Sequence, residues 1–134
     1  SRNIHAINLK DFSQTLIPVG SNPRALVLSP DESKLYVTLN AAGKVIAWDL
    51  LNKKAIKSVT TGKAARSLTI SEDGTALFVV NFFSSTISKV RAADMKVLQT
   101  IKTCKEPIGI TYDPPTTRTW VACYDGSIKV FDNK

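Results

Sequence analysis

The sequence predicts an all-β fold, a segment of a β-propeller in which small antiparallel sheets stand side by side as blades. The chain of 134 residues repeats itself at an interval of 42 residues, at which Tyr36, Phe78 and Trp120 recur, each followed by a valine. Pro23 and Pro107 mark one position two repeats apart. Each repeat also holds four short β-prone runs separated by turn residues. A period of this length with four strands per period is typical of a propeller blade.

The repeat divides the chain into four units. Residues 1–22 are the outer half of a blade, residues 23–64 and 65–106 are one complete blade each, and residues 107–134 are a blade that lacks its outermost strand. Because a propeller ring usually has roughly four to eight blades, about three blades leave the ring incomplete. We expect either a fragment of a larger propeller or a ring completed by oligomerisation, for example with a second copy of the chain.

The first two units establish the order of the elements. Residues 3–9 align 41 residues ahead of residues 44–50, and residues 14–20 align 42 residues ahead of residues 56–62, so the first unit has only a third and a fourth strand. In the second unit, residues 24–28 are an apolar first strand and residues 34–39 are a second strand rich in β-branched and aromatic residues. Turns at 29–33, 40–43 and 51–54 separate the strands and leave no room for a long helix.

The third and fourth units follow the same plan. Residues 71–74 repeat the turn chemistry of residues 29–33, and residues 77–80 replace residues 35–38. In the fourth unit the third strand, residues 127–132, begins one residue early, because the turn Tyr124-Asp125-Gly126 is one residue shorter than its counterparts. The sequence therefore predicts 13 strands in groups of two, four, four and three.

Composition and charge restrict the classes of function. The formal net charge of +7, from 18 basic and 11 acidic residues, favours anionic partners such as nucleic acid, acidic glycans or lipid headgroups, although lysines on outer strands also serve solvation alone. No run approaches the roughly 20 apolar residues of a membrane-spanning helix. Cys104 and Cys123 could pair in an oxidising compartment, but we expect them to be two small buried hydrophobic side chains instead.

Three short motifs of the second unit resemble the bacterial YVTN-type propeller repeat. They are the lead-in Gly20 to Pro23, the turn Ser29-Pro30-Asp31 and the strand Tyr36-Val37-Thr38. The chain departs from that repeat at Glu32 and Leu39, and at Ala65 in the third unit, where the repeat has Gly, Asn and Pro. WD-repeat propellers are the near neighbours: Trp48-Asp49 and Phe131-Asp132 stand where their Trp-Asp pair falls, but the Gly-His pair that opens those repeats is missing.

The resemblance implies a role and a location. Proteins similar to the YVTN type are typically secreted or periplasmic and serve as binding or surface modules, so we expect a non-catalytic module for binding or protein–protein interaction. A related propeller holds the d1 haem of denitrifying enzymes, which leaves part of a cofactor-binding propeller enzyme as an alternative. A purely structural segment of a larger surface protein is the other.

No constellation of residues predicts catalysis. His5 is the one histidine and lies on an outer strand, where we expect it to be solvated or locally bonded. Asp31, Asp73 and Asp113 stand in the first turn of successive units, where Asp is favoured for bonding the backbone of the turn. Phosphate-binding loops and nucleophile motifs are lacking. We therefore predict no catalytic residue, no metal site and no cofactor.

The candidate binding residues gather on one side of the sheets. Because strands alternate in direction, the lead-in to each first strand and the loop between each second and third strand emerge on one side, which we call the loop face. The predicted ligand-binding residues there are Arg24, Arg66, Lys63, Lys105, Asn81, Phe82, Phe83 and Tyr124, with Asn40 beside them. Arginine suits phosphate or carboxylate, and exposed aromatic rings stack on bases or sugars. The face therefore suits an anionic or single-stranded polymer or a protein ligand, unless the aromatic rings only fill space between blades.

Overall fold

The computed structural model describes residues 1–133, which form strands, turns and loops and no helix. The strands are β1 (Ile4–Ile7), β2 (Gln14–Ile17), β3 (Pro23–Leu28), β4 (Lys34–Leu39), β5 (Lys44–Asp49), β6 (Lys54–Thr60), β7 (Ala65–Ile70), β8 (Ala76–Asn81), β9 (Thr86–Arg91), β10 (Lys96–Lys102), β11 (Pro107–Asp113), β12 (Arg118–Cys123) and β13 (Ile128–Asp132).

The strands form four separate antiparallel sheets in chain order. They are β1-β2, β3-β4-β5-β6, β7-β8-β9-β10 and β11-β12-β13. The predicted grouping of two, four, four and three strands is confirmed. The predicted shorter turn in the last unit is also present, because Cys123 N donates to Ser127 O at 3.0 Å and leaves three residues between them.

The second strands of the two complete blades, β4 and β8, contact both neighbouring sheets, because their side chains alternate between the two faces of the sheet. Tyr36 of β4 packs with Leu68 and Val79 of the next sheet in one buried cluster. Phe78 of β8 stacks on Tyr112 of β11, with the ring centroids 5.9 Å apart and the planes 7° apart. Tyr36 and Phe78, the first two aromatic residues of the 42-residue series, therefore pack their blades against the following ones.

The last sheet and the first strand of the second sheet each leave an apolar surface uncovered. The third aromatic residue of the series, Trp120, is 40% exposed, and Ile128 and Val130 lie exposed on neighbouring β13. At the other end, Leu26 and Leu28 of β3 are also exposed. We call Trp120, Ile128 and Val130 the trailing end face, and Leu26 and Leu28 the leading end face. Leu28 corresponds by the 42-residue interval to Ile70 and Tyr112, which lie against the preceding blade.

In two of the three turns that join a first strand to a second strand, an aspartate carboxylate accepts the same set of hydrogen bonds. Asp31 accepts hydrogen bonds from the Ser29 hydroxyl at 2.6 Å and from the Ser33 amide at 3.0 Å. These bonds, the Ser29 hydroxyl first, lower the pKa of Asp31 to about 2. Asp73 is held equivalently, and its pKa is also lowered to about 2, chiefly by the Ser71 hydroxyl. The expected structural role of these two carboxylates is consistent with this bonding.

Asp113 is not the third member of that series. It stands 42 residues after Ser71, so it replaces the turn serine, and its own carboxylate accepts a bond from the Thr116 hydroxyl. Pro115 stands where Asp73 and Asp31 have their counterpart. The three aspartates therefore form no ring of equivalent carboxylates.

The expectation for the two cysteines is wrong, because Cys104 and Cys123 form a disulfide. Their Cα atoms are 6.1 Å apart, within the range that a disulfide bridges. The bond ties the lead-in of the last blade to the end of β12. The hairpin register that the repeat predicts places Cys123 opposite Pro107, near Cys104, so the sequence permitted the disulfide even though we expected free side chains.

Candidate functional site: the loop face

The loop face is built by the same backbone contact in three blades. The residue after each second strand donates its amide to the carbonyl of the residue before the first strand: Asn40 to Asn22 at 3.0 Å, Phe82 to Ala64 at 3.0 Å and Tyr124 to Glu106 at 3.1 Å. The three accepting residues have φ angles of 53°, 57° and 54°, a left-handed conformation that turns the lead-in into the strand. The loops of this face are therefore fixed to the sheets.

Charge is distributed unevenly between the loop face and the opposite face. Of the 11 acidic residues, only Glu106 and Asp125 lie on the loop face; the others lie in or beside turns of the opposite face. Seven basic residues lie on the loop face, in the lead-ins, the loops or the strand ends next to them. They are Arg2, Arg24, Lys44, Lys63, Arg66, Lys102 and Lys105. Within residues 1–133 the opposite face also has seven basic residues, namely Lys10, Lys34, Lys53, Lys54, Arg91, Lys96 and Arg118, but nine acidic ones. The loop face is therefore the more positive side because it has few acidic residues.

The four predicted cations of the site all belong to this side. Arg24, Lys63 and Lys105 are exposed, and Arg66 is half-buried. Within residues 1–133 none of them forms a salt bridge; the ion pair Arg91–Asp94, at 2.8 Å, lies on the opposite face. These cations remain available to an external anion.

The predicted aromatic residues divide into a support and two exposed rings. Phe82 is half-buried, and the Arg66 guanidinium lies 5.1 Å from its ring centroid. Phe83 meets Phe82 edge to face, with the centroids 5.1 Å apart, and is 71% exposed. Tyr124 is exposed to the same extent in the next blade. Phe83 and Tyr124 can therefore contact a ligand, whereas Phe82 orients Arg66 and Phe83.

Asn81 lies inside the blade and not on the exposed surface where it was expected. It is fully buried, its Nδ2 donates to Ser88 Oγ at 3.0 Å and Thr86 Oγ1 at 3.1 Å, and its Oδ1 accepts from Thr61 Oγ1 at 2.9 Å. Asn40 is also bonded internally, since its Nδ2 donates to Ala65 O of the next blade at 3.1 Å. We leave Asn81 out of the binding surface considered below.

An open cleft of about 450 Å³ lies on the loop face between the second and third blades. Lys63 and Phe83 stand on its wall, and its other lining includes Ala41, Ala42 and Ser84. Sequence reasoning identified the lysine and the phenylalanine but not the cleft or the small residues that leave it open. The sequence analysis identified the basic residues of the loop face but not the scarcity of acidic residues there, which assigning each carboxylate to a loop or a turn would have found.

The described residues give no indication of a metal site. Within residues 1–133 no group of three or more His, Cys, Asp or Glu side chains is placed to hold a metal ion. His5 is exposed on β1, with Nδ1 3.2 Å from Gln14 Oε1, as expected for a locally bonded outer-strand residue. No helix capable of crossing a bilayer occurs in the described part of the chain.

Comparison with known proteins identifies the fold but not the family. No protein-family description and no curated protein matches the chain. Among solved structures, hydrazine synthase from Kuenenia stuttgartiensis is similar with a TM-score of 0.80 and 26% identity over 84% of this chain. A dihydro-haem d1 dehydrogenase, NirN, solved in complex with DHE, matches 98% of the chain with a TM-score of 0.76 and 20% identity. The WD40 repeats of RRP9 match 84% with a TM-score of 0.77 and 20% identity.

These similarities establish a β-propeller segment. The second and third matches are too distant in sequence to show more than the fold. The chain spans 33% of the length of the hydrazine synthase and NirN chains and 36% of the RRP9 chain. The neighbours include enzymes as well as WD40 proteins, so the fold alone assigns no activity, and the YVTN-type resemblance stays a prediction.

Proposed function

We propose that the chain is a non-catalytic propeller module that binds an anionic partner through its loop face. One observation carries this proposal: seven basic side chains gather on a face that has two acidic ones, and the predicted cations there lie outside any salt bridge with the described residues. Such a face lowers the free energy of an approaching polyanion along its whole length. Counterion release from the polymer adds to the affinity at low salt.

Arg24 and Arg66 are the residues that we expect to contribute most. They occupy equivalent positions in neighbouring blades, and the guanidinium group offers a planar pair of donors to carboxylate or phosphate. The ring of Phe82 beneath the Arg66 guanidinium limits the conformations of that side chain, so less entropy is lost when it binds. Lys63, in the lead-in of the third blade, and Lys105, in the lead-in of the last blade, extend the basic surface.

Binding of dextran sulfate and of a single-stranded oligonucleotide at several salt concentrations tests the proposal. We expect affinity at low salt that falls as salt rises, and weaker binding by the Arg24→Ala, Arg66→Ala double variant. For the oligonucleotide, the slope of log affinity against log salt should decrease by about 1.4, which corresponds to two lost phosphate contacts.

A matched control removes two charges from the opposite face. Lys54 and Lys96 are equivalent, exposed residues at the starts of β6 and β10. The Lys54→Ala, Lys96→Ala double variant has the same net charge as the arginine variant and should retain the salt slope. Equal losses in both variants would show that total charge, not the loop face, governs binding, and no affinity at low salt would remove the proposal.

The exposed apolar side chains of the two end faces indicate a second kind of partner, which packs against them. We propose that further blades cover them, supplied by the rest of a larger propeller or by a second copy of the chain. A purely structural segment of a larger protein is the alternative function, and it predicts association through the end faces without affinity for polyanions.

A secreted or periplasmic location is our expectation from the resemblance, and the disulfide is compatible with it. A haem-binding role has no observation of this chain in its favour beyond the fold, so we do not propose it.

A further inference from the structure

We propose that the cleft between the second and third blades binds one carboxylated sugar unit of an acidic polysaccharide, with Phe83 against the sugar ring and Lys63 paired with the carboxylate. This inference rests on the proposed function and names the class of polyanion. The cleft volume of about 450 Å³ falls within the roughly 300–1,000 Å³ of typical ligand sites.

The two principal side chains are held in a fixed relation by the backbone. Phe83 N donates to Lys63 O at 3.2 Å, and Lys63 N donates to Ser84 Oγ at 2.8 Å. Together with the bond from Phe82 to Ala64, three hydrogen bonds connect the lead-in of the third blade to its loop. A cation and an aromatic ring on one rigid segment are pre-organised for a ligand that has a flat apolar face next to a negative group.

The Phe83 ring is supported on one side and open on the other. Phe82 contacts it edge to face, and Arg66 covers the ring of Phe82 in turn. The Phe83 ring is 71% exposed at the rim of the cleft. When a ligand covers the ring, apolar surface is removed from water, and this burial contributes favourable free energy of binding. The C–H face of a pyranose ring is a surface of the right size and polarity.

Within residues 1–133 one blade has this arrangement, which favours a single sugar unit over a run of bases. The positions equivalent to Phe83 in the neighbouring blades are Ala41 and Asp125. Single-stranded nucleic acid binds by stacking successive bases along a basic groove. Here the adjacent blades offer a methyl group and a carboxylate that repels phosphate.

The walls of the cleft provide polar groups that suit hydroxyl groups. The Ser84 hydroxyl accepts the Lys63 amide and keeps its own proton to donate. Asn40 also lines the cleft, and the bond from its Nδ2 to Ala65 O at 3.1 Å holds its side chain in place. Ala41 and Ala42 keep the opposite wall low. The disulfide is compatible with an oxidising compartment outside the cytosol.

The test compares tri-galacturonate with its methyl-esterified form, dextran sulfate and a single-stranded oligonucleotide, by calorimetry at low salt. We expect tri-galacturonate to bind at least about fivefold more tightly than the ester. Phe83→Ala should weaken tri-galacturonate binding by about fivefold or more, as for loss of a stacking platform, and leave dextran sulfate within about twofold. Lys63→Ala should abolish the preference for acid over ester.

Phe12→Ala is the matched control, because Phe12 is 72% exposed in a turn of the opposite face. It should bind all four ligands as the unchanged chain does. If dextran sulfate binds through Arg24 and Arg66 but Phe83→Ala changes nothing, the sugar site is overturned while the polyanion function stands. If the oligonucleotide is preferred and depends on Phe83, nucleic acid replaces the sugar acid. If no polyanion binds, both proposals fall.

Discussion

Each of three blades has a pair of residues, 19 positions apart, that connects its lead-in to the end of its second strand, and the residue types differ from blade to blade. A side chain on Gly20 would approach Leu39 within 3.1 Å, and one on Gly62 would clash with Asn81 at 2.7 Å. The last blade has Cys104 and Cys123 in these places, joined as a disulfide. An apolar side chain, a hydrogen-bonded amide and a covalent bond therefore each connect a lead-in to the end of a second strand.

The equivalence predicts that the amide can partly replace the disulfide. Because a closed loop of this size contributes about 3 kcal/mol and a buried hydrogen-bonded amide about 1 kcal/mol, Cys104→Gly with Cys123→Ala should lose about 3 kcal/mol of stability, and Cys104→Gly with Cys123→Asn about 2 kcal/mol. The asparagine variant should be the more stable of the two, because Thr103 and Ser127 stand where Thr61 and Thr86 bond Asn81. Urea unfolding of the three proteins measures this. Equal stability of the two double variants would show that the blades are not equivalent here.

At the scale of the element, one left-handed residue recurs in each kind of turn. The first turn has Glu32 at φ 60° where the next blade has Gly74 at φ 75°. A residue with a side chain is strained in this region, whereas glycine adopts it freely. The repeat therefore shows which positions tolerate glycine, since one blade already contains it.

Glu32→Gly should stabilise the chain by about 0.5–1 kcal/mol, because it relieves the left-handed strain of a side chain. Thermal unfolding should show a higher midpoint than that of the unchanged chain. Gly74→Ala is the reverse control and should lower the midpoint, because its Cβ also meets Pro30 at 2.8 Å. A lower midpoint for Glu32→Gly would mean that entropy of the unfolded chain outweighs the strain.

The strands were predictable because turn residues and the 42-residue period locate them without tertiary information. Burial at single positions was less predictable, since Asn81 and Leu39 occupy the same place and only the fold shows both inside. Asp113 was aligned by residue type and lies two positions away from the series that it resembled. The cleft depends on a backbone contact between Lys63 and Phe83, 20 residues apart, which no periodicity indicates. The unit boundaries at residues 23, 65 and 107 stay predictions.

At the scale of the whole molecule, the two end faces are complementary. Tyr36 and Phe78 are covered by the blade that follows them, whereas Trp120, the equivalent residue of the last blade, is exposed. Leu28 occupies the position that provides that cover in the other blades. Burial of these side chains contributes roughly 1.5–3 kcal/mol each, so water-exposed end faces favour association.

The isolated chain should therefore associate as its concentration rises, measured by sedimentation velocity. Trp120→Lys with Ile128→Lys should shift the equilibrium toward the monomer, because charge on the trailing end face cannot be buried against apolar residues. Leu51→Lys, in an exposed turn, is the control and should leave association unchanged. A monomer at every concentration would contradict an adhesive end face.

The separation of charge between the two faces has a consequence for kinetics. A molecule that is net positive on one side and slightly net negative on the other has an electric dipole roughly along the strands. A distant polyanion exerts a torque on this dipole before any atoms are in contact. Within about 10 Å at ordinary ionic strength, this torque rotates the loop face forward. Salt should then slow the rate of capture more than it hastens release.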